Sequence, residues 1–532
     1  MQINQQHKAH YFGRGSPWRN LLVCWREIQP LIRQGYLILN KKVTLGMPGP
    51  CMPALDKNYD IGIGSPYSLG AESVWRFWDK AIDNILLGPE GKTFASHQYS
   101  PYVSDTEQAN PFLIPPEKLL AKDLISPEDM DRVCGPLADD TDIDFEKVTQ
   151  NYNYLLTKLS PIPSDIPAIT KKLLGQITEE NKFPYIADLQ IQISRSIYQK
   201  NKALFLPDFT LGTPADTISD QGRDWKFPVL DPEQLWDGEN LGPAGKLWQH
   251  IIDSALHKSS CGLRIDHFIG YVNPYVMSHN PDIPNGRLYS SPDHPILKKY
   301  AYTEPEQFYQ IYERIVLPVL KKYHISNMDL YPEDIGARPP QLDDVLQHFN
   351  LGRLIVAQFK EPQNPTHMYQ LMTTKPYDVA TIDTHDTPSV QMFFDKMDDK
   401  DRALHAQSLV RSLRLEYDDS FKSTEQLTRM QWAELLACPA ERVQAFFTSW
   451  TGQVGYYSHP DNIHSWHLRC TSDFKKLYFS NLLKGLAYNP LDAIALAIYA
   501  RGDSFYKHHA AFIEKLHAAE DTLKKLIQLW QN

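Results

Sequence analysis

The sequence has few cysteines, no long apolar run and no excess of positive charge. Its 6 cysteines are scattered singly among 532 residues, which excludes a disulfide-stapled scaffold. The longest apolar run, from Ala493 to Ala500, is far shorter than the roughly 18 residues of a membrane helix. The net charge of −10 argues against a nucleic-acid or membrane partner, because such partners favour basic surfaces.

The cysteine usage and the first residues also indicate a compartment. Scattered, unpaired cysteines are typical of reduced proteins inside the cell. Met1 to Lys8 contain no apolar stretch of the kind found in secretory signals. We therefore expect a cytoplasmic protein. The composition, 42% hydrophobic and 22% charged, is that of a globular chain.

Short apolar segments, each followed by a polar residue or a turn former, predict eight buried strands. They are Val43–Leu45, Ile82–Leu87, Tyr185–Ala187, Leu263–Ile265, Met328–Tyr331, Leu354–Phe359, Val379–Ile382 and Val443–Phe447. Helix-like segments separate many of them, such as Ala71–Ile82, Leu247–His257, Pro305–Tyr323 and Gln341–His348. Eight strands alternating with helices predict an α/β fold, a (β/α)8 TIM barrel, rather than a small doubly wound sheet.

The spacing of these segments predicts the domain organisation. Residues 1–40 are interpreted as a leader followed by an amphipathic helix, and residues 41–532 as the barrel. Residues 105–182 are acidic and mostly helical in pattern, and we expect an inserted subdomain because barrels tolerate insertions after their strands. Residues 196–246 are rich in Pro, Asp and Gly, which predicts a long inserted loop with a functional role.

Three carboxylates, Asp266, Glu333 and Asp386, lie at or just beyond the ends of predicted strands. Strand ends of this kind converge on the active site of a barrel. A retaining reaction at a glycosidic bond needs an ionised carboxylate as nucleophile and a protonated carboxylic acid roughly 5–5.5 Å away. A neighbouring carboxylate keeps that acid protonated by raising its pKa. The pattern therefore favours glycosidic chemistry.

Two further residues support this interpretation. Arg264 lies two positions before Asp266, so both side chains face the same side of the strand and the guanidinium can hold the carboxylate ionised. His385 precedes Asp386 and could hydrogen-bond sugar hydroxyls. Any one of these motifs also fits a buried salt bridge or a loop cap. Their combination at three strand ends favours a site.

Longer motifs surround these residues. They are Ser100-Pro101-Tyr102 with Asn110-Pro111-Phe112-Leu113-Ile114, Gly212-Thr213-Pro214-Ala215-Asp216 with Gly222-Arg223-Asp224-Trp225 and Pro228, Arg264-Ile265-Asp266-His267, Glu333-Asp334-Ile335-Gly336, Thr384-His385-Asp386, and Asn462 with Trp466 and Arg469. In this order and over most of its length, the chain resembles the 4-α-glucanotransferases, the amylomaltase or disproportionating-enzyme family (glycoside hydrolase family 77).

The resemblance implies an activity. It is the retaining, double-displacement transfer of a 4-α-glucan segment from a maltodextrin to the 4-hydroxyl of another glucan or of glucose. The glucan would be a maltodextrin or would derive from glycogen or starch, and no metal or organic cofactor is implied.

The resemblance also implies the roles of individual residues. Asp266 is the expected nucleophile, Glu333 the acid and then the base, and Asp386 the residue that stabilises the transition state. The expected substrate-binding residues are Arg264, His385, Tyr102, Trp225 and Asp188.

The chain departs from the family pattern at three positions. In the loop that resembles the acceptor side, Arg223 replaces a Gln and Lys226 replaces a Gly. Pro332 precedes Glu333, where a small residue is usual, and it removes one backbone N–H.

Other functions stay open at the level of the sequence. An α-1,4-glucan hydrolase could use the same site if water replaced the sugar acceptor, and a glucan-binding protein could have lost catalysis. His459, His464, His467 and Cys470 have a spacing that resembles a zinc site. Because they also fit an ordinary polar loop, we expect no metal.

Overall fold

The computed structural model describes residues 16–159, 164–180, 183–214, 222–257, 261–282, 286–288, 305–458 and 464–532. The strands, in chain order, are β1 (Lys42–Gly46), β2 (Asn84–Leu86), β3 (Gly91–Lys92), β4 (Asp105–Ala109), β5 (Tyr185–Leu189), β6 (Phe205–Thr213), β7 (Arg223–Leu230), β8 (Trp236–Asp237), β9 (Asn240–Leu241), β10 (Gly262–Ile265), β11 (Tyr275–Ser278), β12 (Arg287–Leu288), β13 (Leu330–Pro332), β14 (Leu354–Val356), β15 (Val379–Thr381) and β16 (Arg442–Phe446).

Helices follow or separate most of these strands. They are Pro17–Leu39, Leu69–Trp78, Pro116–Ala121, Pro127–Val133, Phe145–Leu159, Ile166–Glu180, Arg195–Lys200, Pro243–Leu256, Ile269–Val272, Pro305–Ile311, Leu317–Lys322, Leu342–His348, Val390–Asp395, Asp399–Leu413, Thr424–Ala437, Phe447–Thr451, Phe474–Leu483, Pro490–Ala500 and Asp503–Gln531. A π-helical turn, Tyr312–Val316, joins two of them.

The chain divides into two compact units. The first unit comprises Met1–Ile85, Pro111–Lys182 and Ile355–Asn532, and the second comprises Leu86–Asn110 and Phe183–Leu354. Each unit is therefore assembled from segments that are distant in sequence.

The first unit contains parallel strands in the order β1, β16, β15 and β14. β16 pairs in parallel with both β1 and β15, and Val443 lies opposite Val43 on one side and Ala380 on the other. All five residues of β16 are buried, as expected of a central strand in a parallel sheet.

Two of the sheets in the second unit concern the site, beside the small two-stranded sheets β3–β4 and β8–β9. In the first sheet the strand order is β13, β10 and β5, and β10 pairs in parallel with both neighbours. Ile265 at the end of β10 lies opposite Pro332 of β13 and Leu189 of β5. The second sheet is antiparallel, in the order β12, β11, β6 and β7.

The eight strands predicted from apolar segments correspond to β1, β2, β5, β10, β13, β14, β15 and β16. The predicted (β/α)8 class is thereby confirmed. Residues 196–246, interpreted as a loop, contain the hairpin β6–β7. Proline-rich sequence conceals these strands, but Pro228 lies on the edge strand β7 and Pro207 lies where the β6 register is irregular. Both are positions that tolerate proline in a sheet.

The first helix shows how an apolar stripe anchors a terminal segment. Ser16 accepts the backbone N–H of Arg19 and Pro17 occupies the first turn, a favourable start for a helix. Trp25 is buried and its Nε1 donates to the carbonyl of Phe77 at 2.7 Å. The residues before Ser16, part of the expected leader, lie outside the described residues.

The described residues contain neither a membrane-spanning helix nor a metal-binding cluster. None of their helices combines the length and apolar character needed to cross a bilayer. The same part of the chain contains no group of three or more His, Cys, Asp or Glu placed to hold a metal ion. His459, one of the four residues considered for zinc, lies outside it, and His467 packs against the ring of Phe145.

A fully buried ion pair lies in the first unit. The ammonium of Lys360 contacts a carboxylate oxygen of Glu434 at 2.8 Å, and both side chains are fully buried. Gln431 donates to the same carboxylate oxygen at 2.8 Å. Removing one partner of such a pair leaves an uncompensated charge in the interior.

We therefore predict that Lys360→Met lowers the free energy of unfolding by about 3–5 kcal/mol. Urea denaturation followed by circular dichroism measures this change. The double variant Lys360→Met/Glu434→Met should recover much of the loss, because no isolated charge remains. Lys422→Met is the matched control, since its pair with Asp419 lies on the surface; an equal loss there would contradict the burial argument.

Candidate active site

Asp266 and Glu333 follow directly on paired strands. Since Ile265 lies opposite Pro332 in the parallel register, the next residue on each strand is one of the two carboxylates. The backbone N–H of Glu333 donates to the carbonyl of Ile265 at 2.9 Å. The missing N–H of Pro332 therefore leaves this bond intact, and the unusual proline does not disturb the strand end.

The Glu333 carboxyl group is buried and bound by two backbone amides. The N–H of His267 donates to Oε2 at 2.9 Å and that of Ile335 donates to Oε1 at 2.6 Å. Burial raises the pKa of Glu333 to about 7, with Asp266 adding to the rise while Arg264 and the two amides oppose it. A large fraction of Glu333 is therefore protonated at neutral pH.

Asp266 has a different environment. Its side chain is 20% exposed, and its Oδ1 contacts Nη1 of Arg264 at 3.0 Å. The same Nη1 contacts both carboxylate oxygens of Asp188 at 2.9 and 3.0 Å. Burial alone would lower the pKa of Arg264, but its acidic neighbours hold that pKa well above its usual range. The guanidinium is thus a fixed positive charge beside Asp266.

Asp188 and Tyr102 complete this cluster. Asp188 lies opposite Arg264 in the register of β5 and β10, and its side chain is almost fully buried. Tyr102 donates its hydroxyl to Oδ2 of Asp188 at 3.0 Å, and its ring lies 6.0 Å from the Arg264 guanidinium carbon. The second unit therefore brings together Asp266, Glu333 and three of the predicted binding residues.

Trp225 joins the same cluster through His267. The two rings are 4.5 Å apart between centroids and meet edge to face at 89°. His267 has a left-handed backbone, with φ of 44°, and it is the residue whose N–H binds Glu333. In the sequence, His267 stands out only as part of the motif Arg264-Ile265-Asp266-His267. Every non-proline residue has an N–H, so this role carries no sequence signal.

His385 and Asp386 lie in the first unit, just after β15. Nε2 of His385 and Oδ2 of Asp386 are 2.9 Å apart, and the Asp386 side chain is 56% exposed. Thr384 accepts the N–H of Asp386 at 3.2 Å, and the N–H of Ser458 donates to the His385 carbonyl at 2.9 Å. A hydrogen-bonded turn thus presents an accessible carboxylate beside an imidazole.

Asp383, at the start of this turn, was not singled out from the sequence. It is buried and accepts the N–H of Phe446 at 2.8 Å and the hydroxyl of Ser449 at 2.5 Å. Ser449 in turn accepts the N–H of Val390 at 2.7 Å. Burial raises the pKa of Asp383 to about 7, against the effect of these bonds. Asp383 therefore ties the turn to β16, and its position directly before Thr-His-Asp was the available signal.

The remaining motif residues include some that lie outside the described part of the chain and one that lies in the first unit, whereas the carboxylate pair lies in the second. Ala215, Asp216 and Asn462 lie outside the described residues. Arg469 is fully buried and pairs with both oxygens of Asp60 at 2.9 and 3.0 Å. This pair lies in the interior of the first unit, which is a structural location.

The two carboxyl groups at the ends of β10 and β13 are chemically unequal. Glu333 is buried, with a pKa near neutrality, and can deliver or accept a proton. Asp266 is partly exposed, and its Oδ1 is oriented by the guanidinium of Arg264. A buried proton donor beside a second, accessible carboxyl group is the arrangement that a retaining reaction at a glycosidic bond requires.

Comparison with known proteins agrees with this chemistry. Residues 171–473 match the model of glycoside hydrolase family 77, described as 4-alpha-glucanotransferase. No curated protein matches the chain.

Solved structures show a similar fold. An amylomaltase from Streptococcus agalactiae in complex with acarbose is 16% identical, with a TM-score of 0.61 over 87% of this chain and 100% of that one. An amylomaltase from Corynebacterium glutamicum is 14% identical, with a TM-score of 0.56 over 87% of this chain and 76% of that one. Since the family model covers more than half of the sequence, the chain belongs to glycoside hydrolase family 77, the 4-α-glucanotransferases.

Proposed function

We propose that the chain transfers 4-α-glucan segments by a retaining double displacement, with Asp266 as nucleophile and Glu333 as acid and then base. The observation that carries this proposal is the unequal environment of the two carboxyl groups. Glu333 is buried and bound by two amides, while Asp266 is partly exposed and paired with Arg264. Each environment suits one of the two roles.

In the first step, a carboxylate oxygen of Asp266 attacks the anomeric carbon of the donor glucan. The glycosidic bond breaks, and Glu333 gives its proton to the departing 4-oxygen. In the second step, Glu333, now ionised, takes the proton from the 4-hydroxyl of an acceptor. That oxygen attacks the anomeric carbon and releases Asp266, so configuration is retained and neither step needs a metal or an organic cofactor.

The remaining residues would position the substrate. Arg264 is held by Asp188, which is held in turn by Tyr102, and this cluster would orient Asp266 and line the donor side. Asp386 and His385 would bind hydroxyls of the distorted donor sugar, which the exposure of Asp386 and the hydrogen-bonded turn support. Trp225 would offer an aromatic face to the acceptor and exclude water.

We further propose that the substrate is a maltodextrin or another α-1,4-glucan derived from glycogen or starch. A cytoplasmic location agrees with the cysteines, since all six are thiols. Incubation with maltotriose tests the activity directly. A ladder of longer maltodextrins plus glucose supports transfer, whereas glucose and maltose alone would indicate hydrolysis, and binding without turnover a glucan-binding protein.

For the nucleophile, we predict that Asp266→Asn lowers the rate of maltotriose disproportionation by more than about a thousandfold, because the amide cannot form the covalent intermediate. Chromatography of the products measures the rate, and maltodextrin binding should persist. Asp237→Asn, an exposed change in the same unit, is the control. Retention of more than about a thousandth of the wild-type rate by Asp266→Asn would exclude the assignment.

For the acid/base, we predict that azide rescues Glu333→Gln when the donor is α-maltosyl fluoride, whose leaving group needs no proton. The expected product is α-maltosyl azide, since azide then attacks the glycosyl-enzyme formed by Asp266. Asp266→Ala should instead give the β-azide by a single displacement. Nuclear magnetic resonance distinguishes the two products, and absence of rescue in Glu333→Gln would count against its role.

The pKa of Glu333 also predicts a pH dependence. Because the first step needs protonated Glu333, kcat/KM for maltotriose should fall as pH rises through about 7. The same profile with α-maltosyl fluoride as donor should lack this alkaline decline in fluoride release, since fluoride departs without a proton. An identical decline for both donors would assign it to another group.

A further inference from the structure

Two residues of β7 are excluded from the hydrogen-bonded ladder beside the catalytic pair. In the pairing of β6 with β7, Leu211 lies opposite Phe227, but the next residue, Gly212, lies opposite Asp224. Trp225 and Lys226 therefore form a bulge. A Cβ on Gly212 would approach the carbonyl oxygen of Arg223 to 2.4 Å, so the close strand contact at this bulge needs glycine.

Asp224 binds this bulge from three directions. Its Oδ1 accepts the backbone N–H of Lys226 at 2.8 Å and the hydroxyl of Thr210 at 2.7 Å. Its Oδ2 lies 3.4 Å from Nε2 of His279, which also lies 2.9 Å from the Thr210 hydroxyl. Residues of β6, of β7 and of the segment after β11 are thus joined at one carboxylate.

The bond to Lys226 compensates for an unfavourable backbone. Lys226 has φ of 58°, in the left-handed region where a Cβ clashes with the following carbonyl and glycine does not. This is the position where the sequence departs from the glycine of the family pattern. A side-chain carboxylate that accepts the N–H two residues on stabilises such a turn.

The bulge connects to the catalytic acid through direct contacts. Trp225 packs edge to face against His267, and His267 also has a left-handed backbone, with φ of 44°. The N–H of His267 donates to Glu333 at 2.9 Å. The position of Trp225 therefore supports the backbone conformation that aims this N–H at the carboxyl group.

We propose that Asp224 is a positioning residue for catalysis, which fixes the Trp225–Lys226 bulge so that Trp225 holds His267 and its N–H against Glu333. The proposal rests on the proposed role of Glu333 as acid and base. On this proposal, the Asp224 side chain stabilises the left-handed backbone at position 226, which a glycine there would adopt without help. It therefore predicts that glycine at position 226 makes Asp224 dispensable.

The test compares Asp224→Ala, Asp224→Asn, Lys226→Gly and Asp224→Ala/Lys226→Gly. Asp224→Ala should lower kcat for maltotriose disproportionation by about tenfold, because a small displacement of a catalytic group has a large effect on rate. Asp224→Asn keeps an oxygen that accepts the N–H of Lys226 and should stay within about threefold of wild type. The double variant should recover to a similar level, since glycine adopts a positive φ freely.

The pH profile separates positioning from simple loss of structure. The His267 N–H favours the ionised form of Glu333, so weakening that bond in Asp224→Ala should move the alkaline limb of kcat/KM to higher pH. Arg264 and Asp266, which also face Glu333, are unchanged in these variants. Lys226→Gly in the Asp224→Ala background should restore the wild-type limb, although His279 still lacks its carboxylate partner there.

Each outcome decides the proposal. The proposal is supported if Asp224→Ala lowers kcat and moves the alkaline decline of kcat/KM to higher pH, and if adding Lys226→Gly reverses both changes. Unchanged kinetics in Asp224→Ala, or a loss that glycine does not reverse, overturns it; Asp237→Ala controls for effects of a charge change in the same unit. Circular dichroism melting checks that each variant is folded. A different result would contradict the proposed role of Glu333 rather than that of Asp224. It is a wild-type protein that transfers glucan but whose kcat/KM does not decline near neutral pH, and the Asp224 and Lys226 variants play no part in that measurement.

Discussion

The parallel register of β10 with its two neighbours is the constraint on which the site depends. It places Arg264 opposite Asp188 and Ile265 opposite both Leu189 and Pro332, so side chains of three strands reach one edge without any special loop. A one-residue slip of β10 would turn Arg264 and Asp266 to the other face. The buried guanidinium then fixes the electrostatics, because it pairs with Asp188 and Asp266 at once.

Environment, rather than residue type, distinguishes the two carboxyl groups and is the basis of their proposed roles. Asp266 and Glu333 are both near Arg264, but Glu333 is the more buried of the two and is bound by two amides. The amides and the guanidinium favour its ionised form, while burial and the charge of Asp266 oppose it, and burial has the larger effect. The resulting pKa near 7 suits the proposed role of Glu333 as acid and then as base, since both forms are accessible at neutral pH.

Much of the fold, and the grouping of Arg264 with Asp266, could be predicted from the sequence. Both follow from the order of apolar and polar residues within a few positions along the chain. Buried parallel strands are continuous apolar runs, so all eight were visible, and Arg264 and Asp266 share a face by strand alternation alone. The hairpin β6–β7 was hidden because proline and aspartate resemble loop composition. The N–H of His267 and the left-handed backbones of His267 and Lys226 are properties of conformation, which residue identity does not reveal. Asp383 was missed because its partners Phe446 and Ser449 are distant in sequence.

The departure at Lys226 shows how a substitution that is unfavourable by itself becomes compatible with the site. A left-handed lysine costs about 1–2 kcal/mol relative to the right-handed conformation, and glycine would avoid that cost. Asp224 offsets it by binding the strained N–H, and it gains further partners in Thr210 and His279. Lysine and aspartate are therefore best understood as a coupled pair, in which the second makes the first tolerable. On this argument, a family pattern compared one position at a time records Lys226 only as a lost glycine, whereas the structure shows a left-handed backbone there whose N–H is bound by Asp224.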